Sequence, residues 1–262
     1  MTEYRMLWDL HTHTTYSHGT GSIEDNVLAA RAAGLAAIGI SDHGPDHKLY
    51  GVKEHLLPEM KEEVLRLRAK YPDIQILLGL ECNIINPSGN IDLPKDPAGM
   101  PHYIMAGYHY GGVGEHPLAA LALHSGNKMK LALCHNANTR RMVNSIRKNE
   151  GVVRIVTHPA DKGAMDILAI GRACQDTGTL MEINNSHRAL TVEHIALLKD
   201  LNVNFVIGSD AHKPEKVGRF ETALNRALEA GLDPSRIVNI VPATEPITET
   251  QKRRMPLWMQ SL

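Results

Sequence analysis

His11 and His13, separated by one threonine, close a short apolar run at residues 6–10, and His18 follows in a stretch rich in hydroxyls. If that run is a strand, its side chains alternate faces, so both imidazoles point the same way from its end. Such a pair can hold a metal ion, because imidazole is the commonest metal ligand; a lone histidine reads equally well as a capped or core residue. The rest of the chain weighs in on the side of metal. Apolar runs at 35–40, 74–80, 101–107, 151–157 and 204–208 are followed, at or near their ends, by His43, Glu81, His109, His158, Asp210 and His212. Nitrogen and oxygen donors suit zinc, manganese or iron, and the absence of cysteine among them argues against a structural zinc–thiolate site. Nine donors are too many for one ion, so the expected cofactors are two to three divalent metal ions (Zn, Mn or Fe). A cluster of this kind polarises phosphoryl oxygens and converts water to hydroxide near neutral pH.

Donors scattered from His11 to His212 need a scaffold that gathers them. Ser22 is a helix N-cap with Asp25 as its box partner, and Val27, Leu28, Ala30 and Ala33 continue the helix to Gly34. A charged helix at 56–70 carries Leu57, Met60, Val64 and Leu67 on one face and is stopped by Pro72 and Asp73. Further helices are expected at 138–149, 162–176, 191–201 and 216–230, with another strand at 179–183 ending in Asn184-Asn185-Ser186. Seven strands alternating with helices predict a parallel α/β architecture. No glycine-rich phosphate loop follows the first strand, which speaks against a doubly wound nucleotide fold. In a (β/α) barrel the carboxyl ends of the strands meet on one face, so polar residues at successive strand ends converge. The expectation is a seven-stranded (β/α) barrel forming a single domain over 1–262. Two stretches fit less well. Residues 111–133 combine glycine-rich turns with a weak helical pattern at 118–124. The tail, 243–262, runs through Lys252-Arg253-Arg254 to an apolar end at 255–259. It reads as a strap over the barrel, or as a contact with a neighbouring subunit, which leaves a homo-oligomer open.

Taken in order, His11-Thr12-His13, His18, Ser41-Asp42-His43-Gly44-Pro45, Gly79-Leu80-Glu81, Ala106-Gly107-Tyr108-His109, Thr157-His158-Pro159, Glu182-Ile183-Asn184-Asn185-Ser186 and Gly208-Ser209-Asp210-Ala211-His212 form a recognisable series. The chain resembles the PHP (polymerase and histidinol phosphatase) family, most closely its small stand-alone phosphatase branch, from about residue 6 to about residue 242. The resemblance implies a distorted (β/α)7 barrel with a trinuclear metal site. Carried over to these positions, it implies that His11, His13, Glu81 and Asp210 hold one ion, and that Glu81 bridges to a second held by His109 and His158. His18, His43 and His212 would hold the third. The implied reaction is hydrolysis of a small phosphomonoester by attack of a metal-bound hydroxide, with no protein nucleophile. Segment 111–133 looks like an insertion that forms a lid or alters the substrate pocket, and the tail does not match the family's usual ending.

Other residues carry open alternatives. Asp42 either orients a ligand histidine and so serves catalysis, or caps a turn. Arg188 either clamps a substrate phosphate, in a catalytic and binding role, or is a solvated surface residue. His135, with Asn136 and Thr139, either lines the substrate pocket or caps the next helix. Asp9 is read as structural, and His47, His55, His102, His116, His124 and His194 as mostly surface residues.

The net charge of −1 and pI near 7.0 give no electrostatic basis for a nucleic-acid or membrane partner, so a small phosphorylated substrate is the expected one. Three scattered cysteines, no signal-peptide pattern and no long apolar run point to a cytoplasmic protein. Two further readings stay in play: a phosphodiesterase or nuclease of the same family, and a non-catalytic metal-binding module. An amidohydrolase would also use strand-end histidines, but no strand here ends in a bridging lysine.

Overall fold

The computed structural model describes residues 3–96, 100–112, 114, 116–244 and 259. The chain starts with β1 (Tyr4–Met6), switches partner at Leu7, and continues as β2 (Trp8–Asp9). Then come α1 (Ile23–Ala32), β3 (Ala37–Ile40), α2 (Leu57–Lys70), β4 (Gln75–Asn83) and β5 (Tyr103–Gly107). Helices α3 (Pro117–Lys128) and α4 (Leu133–Lys148) precede β6 (Val153–Val156), α5 (Ile167–Thr177), β7 (Leu180–Asn184) and α6 (Val192–Leu198). The series ends with β8 (Phe205–Gly208), α7 (Glu221–Glu229) and β9 (Ile240–Pro242). Strands β2 to β8 lie side by side in chain order as one parallel seven-stranded sheet, the expected count.

That sheet curls until its first and last strands nearly meet. Closure comes from beyond the strand ends: Thr12 and Ala211 form a parallel bridge, with His13 N donating to Ala211 O at 2.8 Å. Below it, the Asn239 side chain stands in for the missing backbone ladder. Its Nδ2 donates to Trp8 O and Ile207 O, and its Oδ1 accepts from Ile207 N. Asp9 stitches the same seam, accepting from His11 N, Ser209 N and Gly218 N. Asp9 is therefore structural, as its position on the strand suggests. The closed barrel turns the ends of β2 and β8 toward each other, which is what places His11 and His13 beside Asp210.

Two apolar layers hold this arrangement. Outside the strands, Ile23 and Val27 of α1 and Met60, Val64 and Leu67 of α2 pack with Ile38, Ile40, Ile76 and Leu78. Inside, Leu7, Trp8, Leu10, Leu77, Tyr103, Met105, Ile155 and Val206 fill the barrel below its polar end. Tyr103 is seated over two glycines: a Cβ on Gly39 would lie 2.0 Å from its hydroxyl, and one on Gly79 would lie 2.2 Å from its ring. Its hydroxyl donates to Leu10 O at 2.6 Å, at the start of the histidine segment. Gly79→Ala is expected to cost about 3 kcal/mol, as overpacked cores do. In a thermal melt the midpoint should fall by roughly 10 °C; an unchanged midpoint would show that the ring swings away freely.

Several boundaries differ from the sequence reading. The run at 6–10 is not one strand, because Leu7 N bonds to Asn239 O while Leu7 O receives Ala36 N, splitting it between β1–β9 and the barrel. β4 extends through Glu81 to Asn83, so Glu81 lies within the strand rather than after it. Segment 111–133 holds a full helix, α3, and α4 begins at Leu133 instead of 138. Its period was hidden because polar Asn138, Arg141 and Ser145 occupy buried positions. α5 starts late because Asp166 caps it, accepting from Ala169 N. The helix expected at 216–230 divides into a 3₁₀ turn, Pro214–Lys216, and α7. The capping box of Ser22 and Asp25 forms as expected, and Gly34 takes φ +74° past the end of α1. Of the tail, Ala243, Thr244 and Met259 are described; Met259 is fully buried in the barrel-interior cluster, and Gln75 Nε2 donates to its carbonyl at 2.9 Å. At that residue the tail packs on its own barrel. The rest of it, and Pro97, Ala98, Gly99, Val113 and Glu115, lie outside the described residues.

Candidate metal centre

The nine donors meet at the carboxyl end of the barrel. Glu81, fully buried on β4, stands at the centre. Its Oε1 lies 2.8 Å from His158 Nε2 and 3.2 Å from His109 Nε2. Its Oε2 lies 3.2 Å from His43 Nδ1, 3.3 Å from His11 Nε2 and 3.6 Å from His13 Nε2. Asp210 faces the same histidines from two residues past β8, with Oδ1 at 3.5 Å from His11 Nε2 and 3.3 Å from His13 Nε2. His18 and His212 complete a four-histidine group with His13 and His43, ring centroids 4.1–5.4 Å apart in neighbouring pairs. His13 thus faces both this group and the one formed by His11 and Glu81.

The donor set fits divalent ions. His11 Nε2, both ring nitrogens of His13, His43 Nδ1 and Glu81 Oε2 are buried without a hydrogen-bond partner. Buried polar atoms are almost always satisfied, so a convergent group of orphans marks a place for something else. The charge states agree in part: burial opposes the charge on His11, but Glu182, Asp210 and Glu81 hold its pKa well above the ordinary value, whereas other donors shift the opposite way. Burial, reinforced by neighbouring imidazoles, pushes His43 well below its ordinary pKa and His18 down to about 3, the neutral form that ligates metal. Burial alone would raise the carboxyls of Glu81 and Asp210, but the surrounding histidines outweigh it and hold both well below the usual range. Two donors also carry backbone strain: His158 has φ +23° and Asp210 φ +53°, a region non-glycine residues rarely occupy.

A ring of residues behind the donors fixes their aim. Glu182 Oε1 sits 2.6 Å from His11 Nδ1, and Oε2 accepts from His158 N at 2.8 Å and from Asn184 Nδ2. Asn184 Nδ2 also donates to Asp210 Oδ2 at 3.1 Å. Gly208 makes room for the Glu182 carboxylate, since a Cβ there would fall 2.0 Å from Oε1. On the other side, Asn83 Oδ1 is 2.9 Å from His109 Nδ1, and Asn83 Nδ2 donates to Asp92 Oδ2. Partners of this kind set tautomer and ring orientation, and losing one typically costs 10–100-fold in metal affinity or activity. Glu182→Gln is therefore expected to weaken metal retention by about that factor, read by titration against a competing chelator. Unchanged retention would show that His11 needs no such anchor.

The remaining sequence candidates fall in different places. Asp42 touches no histidine: its carboxylate accepts from Thr14 N, Thr14 Oγ1 and Ser17 Oγ, bracing the turn that carries His13 and His18. Its short side chain spans to the neighbouring loop instead of reaching an imidazole. Arg188 is exposed and does not line the cavity over the metal centre. Its neighbour His187 does, with Nε2 at 3.2 Å from Asp210 Oδ2 and Nδ1 at 3.0 Å from Asp161 Oδ1. Burial opposes its charge, but the two carboxylates push its pKa up to about 10. His135 lines a second cavity beside the first, and its carbonyl accepts from Thr139 Oγ1. His47, expected at the surface, is buried, stacks on His43 at 5.1 Å and lines the cavity. His124 is buried too, between Tyr108 and Tyr110. Glu182, His187, His47 and Lys162 are thus site residues that spacing alone did not single out.

The cavity above the donors encloses about 380 Å³, and among its lining residues are Tyr50, Tyr110 and Lys162. Comparison with known proteins agrees with this geometry. The PHP domain family matches residues 9–186, and a PHP-associated region matches residues 195–234. The chain belongs to the PHP family. This PHP protein is 29% identical over 250 residues to a probable phosphatase of Thermoanaerobacter sp. (strain X514), covering 90% of this chain and 91% of that one. It is 31% identical over 246 residues to a probable phosphatase of Aeromonas salmonicida, 88% of each chain. Its fold is similar to histidinol phosphate phosphatase from Lactococcus lactis, solved with zinc, L-histidinol and phosphate. That match has a TM-score of 0.60 at 16% identity and covers 87% of this chain and 95% of the other, so it speaks for the barrel. The PHP chain is accordingly a phosphatase of this family, a phosphoric ester hydrolase.

Proposed function

We propose that this protein hydrolyses small phosphomonoesters with two to three divalent ions held by His11, His13, His18, His43, Glu81, His109, His158, Asp210 and His212. The observation that carries the reading is the orphaned, buried donor set around Glu81. His11, His13, Glu81 and Asp210 would hold one ion, Glu81 with His109 and His158 a second, and His18, His43 and His212 the third. Zinc, manganese and iron all suit these donors, and the Lactococcus lactis relative was solved with zinc. Such ions, when bound, neutralise charge on phosphoryl oxygens and acidify water.

The chain's own groups do the rest. Glu182 presents the Nε2 edge of His11 inward by occupying its Nδ1 side. Asp42 keeps the loop bearing His13 and His18 in place. Lys162 and His187 bring N–H donors to the cavity wall, both of them already paired with Asp161. The buried free thiols of Cys82, Cys134 and Cys174 support a cytoplasmic setting. No helix among the described residues is long and apolar enough to cross a membrane.

The test pairs elemental analysis of protein purified without chelator with assays on p-nitrophenyl phosphate, its bis ester and single-stranded DNA. Two to three equivalents of zinc, manganese or iron per chain, with turnover of the monoester alone, is the expected result. A folded protein that stays metal-free and inert after metal addition would sink the proposal; turnover of the diester or DNA instead would make it a phosphodiesterase.

A further inference from the structure

Beside the cavity over the metal centre opens a second one of about 800 Å³, and Tyr110 and Lys162 line both. One side of it comes from the α3–α4 hairpin, through Lys128, Lys130, Leu131 and Ala132. The other comes from the loops after β6 and β7, through Ala160, Ala164 and Ala189. The body of this space is apolar, while its charged groups are mostly cationic. Asp161, the acid in the lining, is already matched, lying 2.5 Å from Lys162 Nζ and 3.0 Å from His187 Nδ1. Lys128 and Lys130 meet no carboxylate among the described residues. Lys128 Nζ lies over the Tyr110 ring, 5.3 Å from its centroid, which puts one free cation against a residue shared by the two cavities.

An ester whose phosphoryl group sits at the metal centre must put its leaving group somewhere, and this adjoining space is large enough for a sizeable one. Unmatched lysines around an apolar body select a ligand with the opposite charge at one end. We infer that the second cavity receives the leaving group of the substrate, and that this group is an apolar body bearing a second anion, a carboxylate or a further phosphate. The inference rests on the phosphomonoesterase reading above and narrows its substrate class.

The experiment compares alkyl phosphates with ω-carboxyalkyl phosphates and alkane bisphosphates of increasing chain length, on wild type and on a Lys128→Gln/Lys130→Gln variant. At a favoured length the anionic ester should show a KM about tenfold below that of the neutral ester, with similar kcat. The variant should lose that advantage while turning over the neutral esters at the wild-type rate. Whichever anionic series gains more identifies the anion as carboxylate or phosphate. Calorimetry with the free ω-hydroxycarboxylates should show the same lysine dependence without turnover. Equal KM for neutral and anionic esters at every length, or an advantage that survives in the variant, overturns the inference alone. Failure to hydrolyse any monoester overturns the phosphatase reading, and this inference with it.

Discussion

Glu81→Gln is expected to reduce kcat/KM by at least ~10³-fold, about 4 kcal/mol of transition-state stabilisation. Five imidazole nitrogens lie within 2.8–3.6 Å of its two oxygens, so both oxygens are committed to the proposed ions. Glutamine keeps the volume and the β4 backbone but turns one of those oxygens into an amide, a donor where an acceptor is needed. The negative charge by which one side chain would serve two ions is lost with it. Metal content per chain should fall in the same sample, and far-ultraviolet circular dichroism should not change. A variant that kept both metal and rate would reduce Glu81 to a structural carboxylate and remove the centre of the proposal.

Removing the ions should also destabilise the folded chain strongly. Without them the orphaned nitrogens of His11, His13 and His43 and the Oε2 of Glu81 remain buried and unpaired. His158 and Asp210 would still hold their positive φ, with nothing bound to repay the strain. Ions that bind only the folded state contribute about 4 kcal/mol when present at a thousandfold excess over Kd. For a chain of 262 residues that corresponds to a melting midpoint roughly 10 °C lower after chelation. Differential scanning calorimetry before and after chelation measures it, and re-addition of zinc or manganese should restore the midpoint. An equal midpoint in both states would mean that the packing of the barrel alone holds the donors in place.

Much of this centre could be read in the chain because a barrel converts order in sequence into proximity in space. Each donor needed only to follow a recognisable apolar run, and His43, His109, His158, Asp210 and His212 all do. Spacing along the chain does not mark Glu182 as a positioning residue, although the strand pattern contains it. In β7, Leu180 faces the barrel interior and Met181 the outer layer, so Glu182 and Asn184 face inward with Leu180. By residue type the sequence points to Arg188 rather than His187, since a guanidinium matches phosphate, whereas the turn after β7 aims the histidine inward. His47 lies in a loop with no periodicity to read; its burial comes from ring contacts with His43 and Tyr50 of the same loop and with His109 from beyond β5. The α3–α4 hairpin stayed obscure for a related reason. Its buried positions include Asn127, Asn138 and Arg141, with Asn127 bonded to both Asn138 and Tyr108, so apolar periodicity understates it.

The filling of the barrel by Trp8, Tyr103, Leu77 and their neighbours has a kinetic consequence. A tube stoppered at one end is reached only from the other, so any ligand of the donor cluster arrives and leaves across the carboxyl face of the barrel. On the proposed reading, the ester and both products would cross that face. Inorganic phosphate, the product seated at the donors, would then compete with the next ester for the same place.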